Sequence, residues 1–228
     1  MTDKVLINEI FTSVQGEGLY IGLKQLFIRF ARCNLSCQYC DTDFRNSEKN
    51  KEYTVQSLMQ EISQYNPDTC HSIALTGGEP LLETNFLKDF LPQIAERKIY
   101  LETNGILYYN LEEIIRFVDI ISMDYKLSSA TGHAAKHDIH KRFINIAKEN
   151  NKTIFIKVVF DSNITFDEIN QVCELAGDTN CFICLQPMMK EGMLVESINY
   201  SVSVLDKFLN RYSNVRLIPQ MHTFLGLK

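Results

Sequence analysis

Cys33, Cys37 and Cys40 stand in the run Cys33-Asn34-Leu35-Ser36-Cys37-Gln38-Tyr39-Cys40, a C-x3-C-x2-C spacing that puts three thiols on one short loop. Thiolates are the usual ligands of iron–sulfur clusters, and a cubane [4Fe–4S] cluster takes one cysteine per iron. A set of three therefore leaves one iron open to a ligand that is not protein. Zinc is the competing reading. It would need a fourth ligand, for which Cys70 and His71 are the nearest candidates in sequence, and structural zinc loops favour paired C-x2-C units. A disulfide framework fits worse, because seven cysteines is an odd number without regular pairing, and the start Met1-Thr2-Asp3-Lys4 has no secretory character. Cys70, Cys173, Cys181 and Cys184 read as small buried hydrophobes. The C-x2-C formed by Cys181 and Cys184 lies in an apolar run, where strand alternation sends the two thiols to opposite faces and disfavours a shared metal.

Other polar residues cluster where apolar runs end. Thr76-Gly77-Gly78-Glu79-Pro80 follows Ser72-Ile73-Ala74-Leu75; its glycines let backbone approach a ligand, and Glu79 could accept from an ammonium group. By itself the segment is more often a tight turn. Leu101-Glu102-Thr103-Asn104-Gly105 ends the next run with a carboxylate and an amide. Ser122-Met123-Asp124-Tyr125-Lys126 ends another, with Ser122, Asp124 and Lys126 alternating to one side, as ligand contacts or as a solvated salt-bridging loop. Lys157 interrupts Ile154-Phe155-Ile156-Lys157-Val158-Val159-Phe160, so it must face a carboxylate or a ligand. Gln186-Pro187-Met188-Met189 closes a later run, the methionines serving as ligand contacts or as core filler.

The elements that position these residues alternate. Strand-like segments cover 24–30, 72–75, 98–102, 120–123, 153–160, 181–186 and 215–218, and helical periodicity covers 54–65, 83–96, 111–117, 133–150, 167–176 and 197–212. Repeated strand and helix predict an α/β fold with mostly parallel strands, and ligands of such sheets gather at the carboxyl ends of the strands. The longest loop is expected at 43–53. With 228 residues and 45% hydrophobic content the chain can bury a full core and reads as one domain, 1–228. A net charge of −5 gives no basic footprint for direct nucleic-acid or acidic-membrane binding, although a local Arg/Lys/His pocket could hold an anion. No apolar run approaches the length of a membrane span. The reducing cytoplasm is the expected compartment.

The cysteine loop followed by Gly77-Gly78-Glu79-Pro80 resembles the radical S-adenosylmethionine (SAM) superfamily. More narrowly, Asn8-Glu9-Ile10-Phe11-Thr12-Ser13-Val14-Gln15-Gly16-Glu17-Gly18, then Phe27-Ile28-Arg29-Phe30, then Cys40-Asp41-Thr42 resemble the 7-carboxy-7-deazaguanine synthase family. The tail Pro219-Gln220-Met221-His222 resembles that family's closing Pro-Gln-x-His element. Ala31-Arg32 before the loop, where relatives usually carry Gly, and Tyr39, a position often held by Trp, depart from the pattern.

The resemblance implies a partial open (β/α) barrel of radical SAM type. It implies a [4Fe–4S] cluster on Cys33, Cys37 and Cys40, and Mg²⁺ on Thr42. SAM would be bound by Tyr39, Asp41, Gly77, Gly78, Glu79, Glu102, Asn104, Ser122, Asp124, Lys126, Gln186, Pro187, Met188 and Met189. A pterin substrate would be bound by Val14, Gln15, Gly16, Glu17, Arg29, Thr76 and His222. Physical chemistry fits three of these: Gln15 and Glu17 offer the donor and acceptor edges a pterin needs, and Arg29 can pair bidentately with a carboxylate or form an ordinary ion pair. The implied reaction converts 6-carboxy-5,6,7,8-tetrahydropterin to 7-carboxy-7-deazaguanine with loss of ammonia, on the route to queuosine and related deazapurines. A flavodoxin or ferredoxin donor and a homodimer are implied by the family alone. Two alternatives stand beside it: an activating enzyme that installs a glycyl radical on a partner protein, and a zinc-stabilised binding module.

Overall fold

The structure, a computed structural model, describes residues 4–37, 40 and 48–227. Eleven strands are present among them: β1 (Val5–Val14), β2 (Lys24–Phe30), β3 (Lys51–Tyr53), β4 (Ser72–Gly77), β5 (Ile99–Thr103), β6 (Ile120–Asp124), β7 (Thr153–Phe160), β8 (Phe182–Pro187), β9 (Met189–Lys190), β10 (Met193–Leu194) and β11 (Val215–Leu217). The helices are α1 (Val55–Ser63), α2 (Thr84–Phe90), α3 (Tyr108–Ile114), α4 (Ser128–Thr131), α5 (His137–Glu149), α6 (Phe166–Thr179), α7 (Ile198–Leu209) and α8 (Met221–Phe224). Nine strands form one sheet in the order β11-β8-β7-β6-β5-β4-β2-β1-β3, parallel from β2 to β11, with β1 antiparallel to β2 and to β3. The two end strands do not pair, so the expected open (β/α) barrel is what forms. β9 and β10 make a separate antiparallel hairpin. No described helix is long and apolar enough to cross a membrane.

Alternation along the parallel strands sorts the side chains. Leu26, Ile28 and Phe30, Ile73 and Leu75, Ile121 and Met123, Ile154, Ile156 and Val158, and Ile183 and Leu185 pack on the helix-covered face. Phe27, Ala74, Tyr100, Ile120, Phe155 and Cys184 pack with Phe11 on the other, concave face. Continuous apolar runs are what a sheet buried on both faces requires. After β1 the chain turns into the concave side, where Tyr20 packs against Tyr100 and Phe155 with ring centroids 5.7 and 6.3 Å away.

Four expectations are corrected. β1 was not anticipated as a strand, because its register shifts between Ile7 and Glu9 and the irregularity breaks the alternation. The expected loop at 43–53 ends in β3, a three-residue edge strand whose Lys51 and Glu52 carry no apolar pattern. The helix expected over 83–96 is α2 flanked by 3-10 turns at Pro80–Glu83 and Leu91–Ile94, since Pro92 lacks the amide proton that would continue the helix. The helix expected over 133–150 begins at His137, after α4 has ended at Gly132 in a left-handed conformation. By contrast α1 and α6 start at their sequence signals: Thr54 with Ser57, and Thr165 with Glu168, form reciprocal capping boxes.

Candidate active site

Two residues beyond each apolar layer, the same alternation turns polar. On the concave face Phe27 is followed by Arg29, Ala74 by Thr76, Tyr100 by Glu102, Ile120 by Ser122 and then Asp124, Phe155 by Lys157 and Cys184 by Gln186. Because these strands are parallel and in register (Arg29 beside Thr76, Glu102 beside Ser122, Asp124 beside Lys157), their carboxyl ends place all of these side chains on one rim. They line a single cavity with Val14, Gln15, Gly16, Glu17, Gly77, Gly78, Asn104, Lys126, Met188, Met189 and His222, and with Cys33, Cys37 and Cys40. Residues assigned to cluster, SAM and substrate therefore share one enclosure. Tyr39, Asp41 and Thr42 lie outside the described residues.

The cavity floor is a buried ion-pair network. Lys157 Nζ donates to Glu17 Oε2 at 2.5 Å and lies 3.4 Å from Asp124 Oδ2, which also accepts from Lys126 at 2.9 Å. The other Glu17 oxygen accepts from the Gln220 amide at 2.7 Å. Burial alone would raise the Glu17 carboxyl, but the Lys157 charge and hydrogen bond, with Gln220 and His222, outweigh it and hold the group at about 2. Burial likewise opposes the Lys157 charge, and Asp124, Glu17 and Glu102 together reverse that, keeping the ammonium protonated. Asp124 Oδ1 and Gln186 Oε1 are buried without a hydrogen-bond partner among the described residues. Unspent acceptors on a cavity wall suit hydroxyl or amino donors of a ligand.

Gln15 lines the cavity with its amide already engaged. Its amide donates to Gln25 Oε1 at 3.0 Å and to Glu102 Oε1 at 2.9 Å, while its carbonyl accepts from Glu17 N at 3.0 Å. Both N–H groups are thus satisfied inside the protein, and the side chain fixes the loop. Glu102 is the hub, its second oxygen accepting from Thr76 Oγ1 at 2.5 Å. Arg29 sits with its guanidinium 5.4 Å above the Phe11 ring, which stacks on Phe27 at 5.0 Å. An aromatic platform under a planar cation fixes the fork that a carboxylate would meet.

Glu79 is fully buried. It does not line the cavity, and the buried carboxylate accepts from Leu81 N, Thr103 Oγ1 and Asn104 N at 3.1, 2.8 and 2.8 Å. Burial pushes it up to about 7 against those hydrogen bonds. Its work is to tie the Gly-Gly turn to the end of β5, leaving Gly77 and Gly78 to present backbone. Gly77 has φ 109°, and a Cβ on Gly78 would collide with the Arg32 carbonyl, one residue before Cys33. Only glycine permits that approach. Pro187 is buried and outside the cavity lining as well.

Seven lining residues are not among the assigned site residues: five without a charge or amide, Phe11, Phe27, Leu35, Thr103 and Val159, and two with one, Lys157 and Gln220. The signals of the last two were present: a cation inside an apolar strand, and the Gln of the Pro-Gln-x-His tail. That tail closes the cavity by docking on Gly16, whose carbonyl accepts from Met221 N at 2.9 Å and where any Cβ would strike His222.

The cysteines fit a cluster. All seven are thiols, not disulfides, and the three of the loop face one cavity while Cys181 and Cys184 pack in different apolar clusters on opposite faces of the sheet. Among the described residues no three His, Cys, Asp or Glu side chains gather as a single ion would require. Zinc needs its sulfurs about 2.3 Å from one point, whereas a cubane with one thiolate per iron spreads them.

Comparisons with known proteins agree with this geometry. Residues 27–176 match the family model of the Radical SAM superfamily. The 7-carboxy-7-deazaguanine synthase of Geobacter sulfurreducens is 37% identical over 96% of this chain and 96% of its own length, and that of Archaeoglobus fulgidus is 33% identical over 96% and 97%. The crystal structure of QueE from Escherichia coli superposes with a TM-score of 0.65 at 21% identity, covering 96% of this chain and 95% of that one. Streptococcus suis SuiB bound to S-adenosylmethionine gives 0.61 at 16% identity over 85% of this chain and 49% of its own, a likeness of fold. In sequence over nearly its whole length, and with a fold to match, the chain belongs to the radical SAM superfamily and, within it, to the 7-carboxy-7-deazaguanine synthase family.

Proposed function

We propose that the chain converts 6-carboxy-5,6,7,8-tetrahydropterin to 7-carboxy-7-deazaguanine with loss of ammonia. The observation that carries this reading is the single cavity in which the three-thiol loop faces Glu17, Arg29 and His222. Cys33, Cys37 and Cys40 would hold the [4Fe–4S] cluster, and Gly77, Gly78, Glu102, Asn104, Ser122, Asp124, Lys126, Gln186, Met188 and Met189 would surround SAM. When bound, the reduced cluster supplies the electron that cleaves SAM and so starts the radical chemistry. Everything else falls to positioning. Arg29, braced on Phe11, is suited to the substrate carboxylate, and the Glu17 carboxylate to a hydrogen-bond donor of the pterin. Asp124 Oδ1 and Gln186 Oε1 have acceptor capacity for hydroxyl or amino groups of SAM. The docked tail, with His222 and Gln220, closes the chamber and limits solvent access to a reactive intermediate.

Mg²⁺ held through Thr42 would orient the substrate carboxylate, Tyr39 and Asp41 would complete the SAM site, and the cytoplasm, a small redox-protein donor and a homodimer complete the reading. The test is anaerobic incubation of the reconstituted enzyme with SAM, reductant, Mg²⁺ and carboxypterin, followed by mass spectrometry. The deazapurine is expected. SAM cleavage without it would remove the substrate assignment, and a chain that takes up zinc without iron and sulfide would remove the radical chemistry altogether.

A further inference from the structure

Lys157 is the most completely enclosed cation in contact with the cavity, 8% exposed, on a strand that is otherwise apolar. A lone buried ammonium would be strongly disfavoured, and here the cost is offset by carboxylates from two different elements. One is Glu17, from the segment after β1. The other is Asp124, one strand over on β6 and in register with Lys157. Glu17 is tied to the closing tail through Gln220, with His222 nearby, and Asp124 pairs also with Lys126; all of them line the one cavity. One ammonium therefore joins the segment after β1 to the end of β6.

Resting on the reading of the substrate given above, we propose that Lys157 is a positioning residue for that substrate: its bridge between Glu17 and Asp124 holds Glu17 as a fixed anionic acceptor for the pterin. The surroundings of Glu17 make the dependence specific. Lys157 from β7 and His222 from α8 favour its charge, as does the Gln220 amide; Asp124 from β6 and Glu102 from β5 are of like sign and near enough to act on Lys157, and the buried Tyr100 phenol feels the Glu17 charge. Without the Lys157 ammonium, burial acts on Glu17 with only Gln220 and His222 opposing it. Glu17 then takes up a proton at a higher pH, and a neutral, loosely held carboxyl replaces the fixed anion.

The experiment uses the reconstituted enzyme under anaerobic conditions. Lys157→Met should raise the KM for carboxypterin about tenfold or more, as loss of one partner of a buried charge pair does, a larger change than any in substrate-free SAM cleavage, which the Asp124 side of the bridge also touches. Its kcat/KM should acquire an acid limb at a pH where the parent is flat. Lys157→Arg should recover much of the KM, and adding Glu17→Gln to Lys157→Met should erase the new limb, which a general packing defect would not do. Should Lys157→Met not fold, Lys157→Gln removes the charge and keeps a hydrogen-bond donor. A neutral variant with the parent's KM and pH profile, in an enzyme that makes the deazapurine, overturns the bridge alone. A parent that cleaves SAM and makes no deazapurine overturns the substrate reading and the bridge with it.

Discussion

The chain contains C-x2-C twice, and the two copies meet opposite fates. Cys37 and Cys40 lie on an irregular loop and face the same cavity, joined there by Cys33. Cys181 and Cys184 lie at β8, where alternation sends one thiol into the helix-covered core and the other into the concave apolar layer. Identical spacing therefore carries no chemistry of its own. What differs is the backbone: a strand fixes the direction of every side chain, while a loop can converge three of them, provided something holds the loop in place. Here the holding is done by the Gly77-Gly78 turn against Arg32, and by the Asn104 amide donating to Asn34 Oδ1 at 2.8 Å.

The comparison is broken most severely at the loop. Replacing any one of Cys33, Cys37 or Cys40 by Ala should abolish both iron uptake and SAM cleavage, read as iron and sulfide content and as deoxyadenosine yield. If one of these variants kept a full cluster, the three-thiol assignment would fail. Gly78→Ala attacks the support and not the ligands: its Cβ meets the Arg32 carbonyl, and a shift of that backbone should cost about 2 kcal/mol or more. Reduced iron loading is expected with it, and thermal unfolding together with iron content would detect both. Arg29→Ala, at the far side of the cavity, should raise the substrate KM and leave SAM cleavage intact; equal loss of both would contradict its place on the substrate side.

The strand cysteines should respond differently. Cys184→Ala leaves a small void among Phe155, Ala74 and their neighbours, costing about 1 kcal/mol with full iron content. Loss of iron in that variant would mean the two motifs are not independent. A pH-dependent effect is expected at the brace behind Asn104. His140 Nε2 lies 2.9 Å from the Asn104 carbonyl, and burial holds the imidazole down at about 4, against an ordinary 6.5. The unfolded chain thus binds the proton first, so this contribution is intact above pH 6.5 and lost as pH falls toward 4. Denaturation midpoints at pH 7 and pH 5 should differ less for His140→Gln than for the parent.

Much of the fold was legible because each parallel strand is a short apolar run bounded by polar residues, and each helix declares its amphipathic face and often its cap. What was not legible had local causes: the register shift hid β1, the charged edge strand β3 lacks a hydrophobic pattern, and Pro92 divided one helix. The site divides in the same way. Residue types at the strand ends identified Glu102, Asn104, Ser122, Asp124, Lys126 and Gln186 as cavity-lining, and all of them are. The direction of Glu79 and the partners of Gln15 were not legible, because hydrogen bonds formed across 25 and 87 residues decide them. Lys157 announced only that it needed a counter-charge. Its partner Glu17 lies 140 residues away, and no local pattern could name it.

By itself, then, the sequence determined the chemistry on offer: three thiols on one loop, an alternating βα series, and polar residues stationed where apolar strands end. Those are local properties, set by covalent spacing and by the period of two along a strand. Only the tertiary structure decided which groups are spent and which remain for a ligand. Parallel register gathers the strand ends onto one rim, and burial in a low-dielectric interior compels each charge there to find a partner. So Gln15 and Glu79 became internal struts, and Lys157 became the bridge between Glu17 and Asp124.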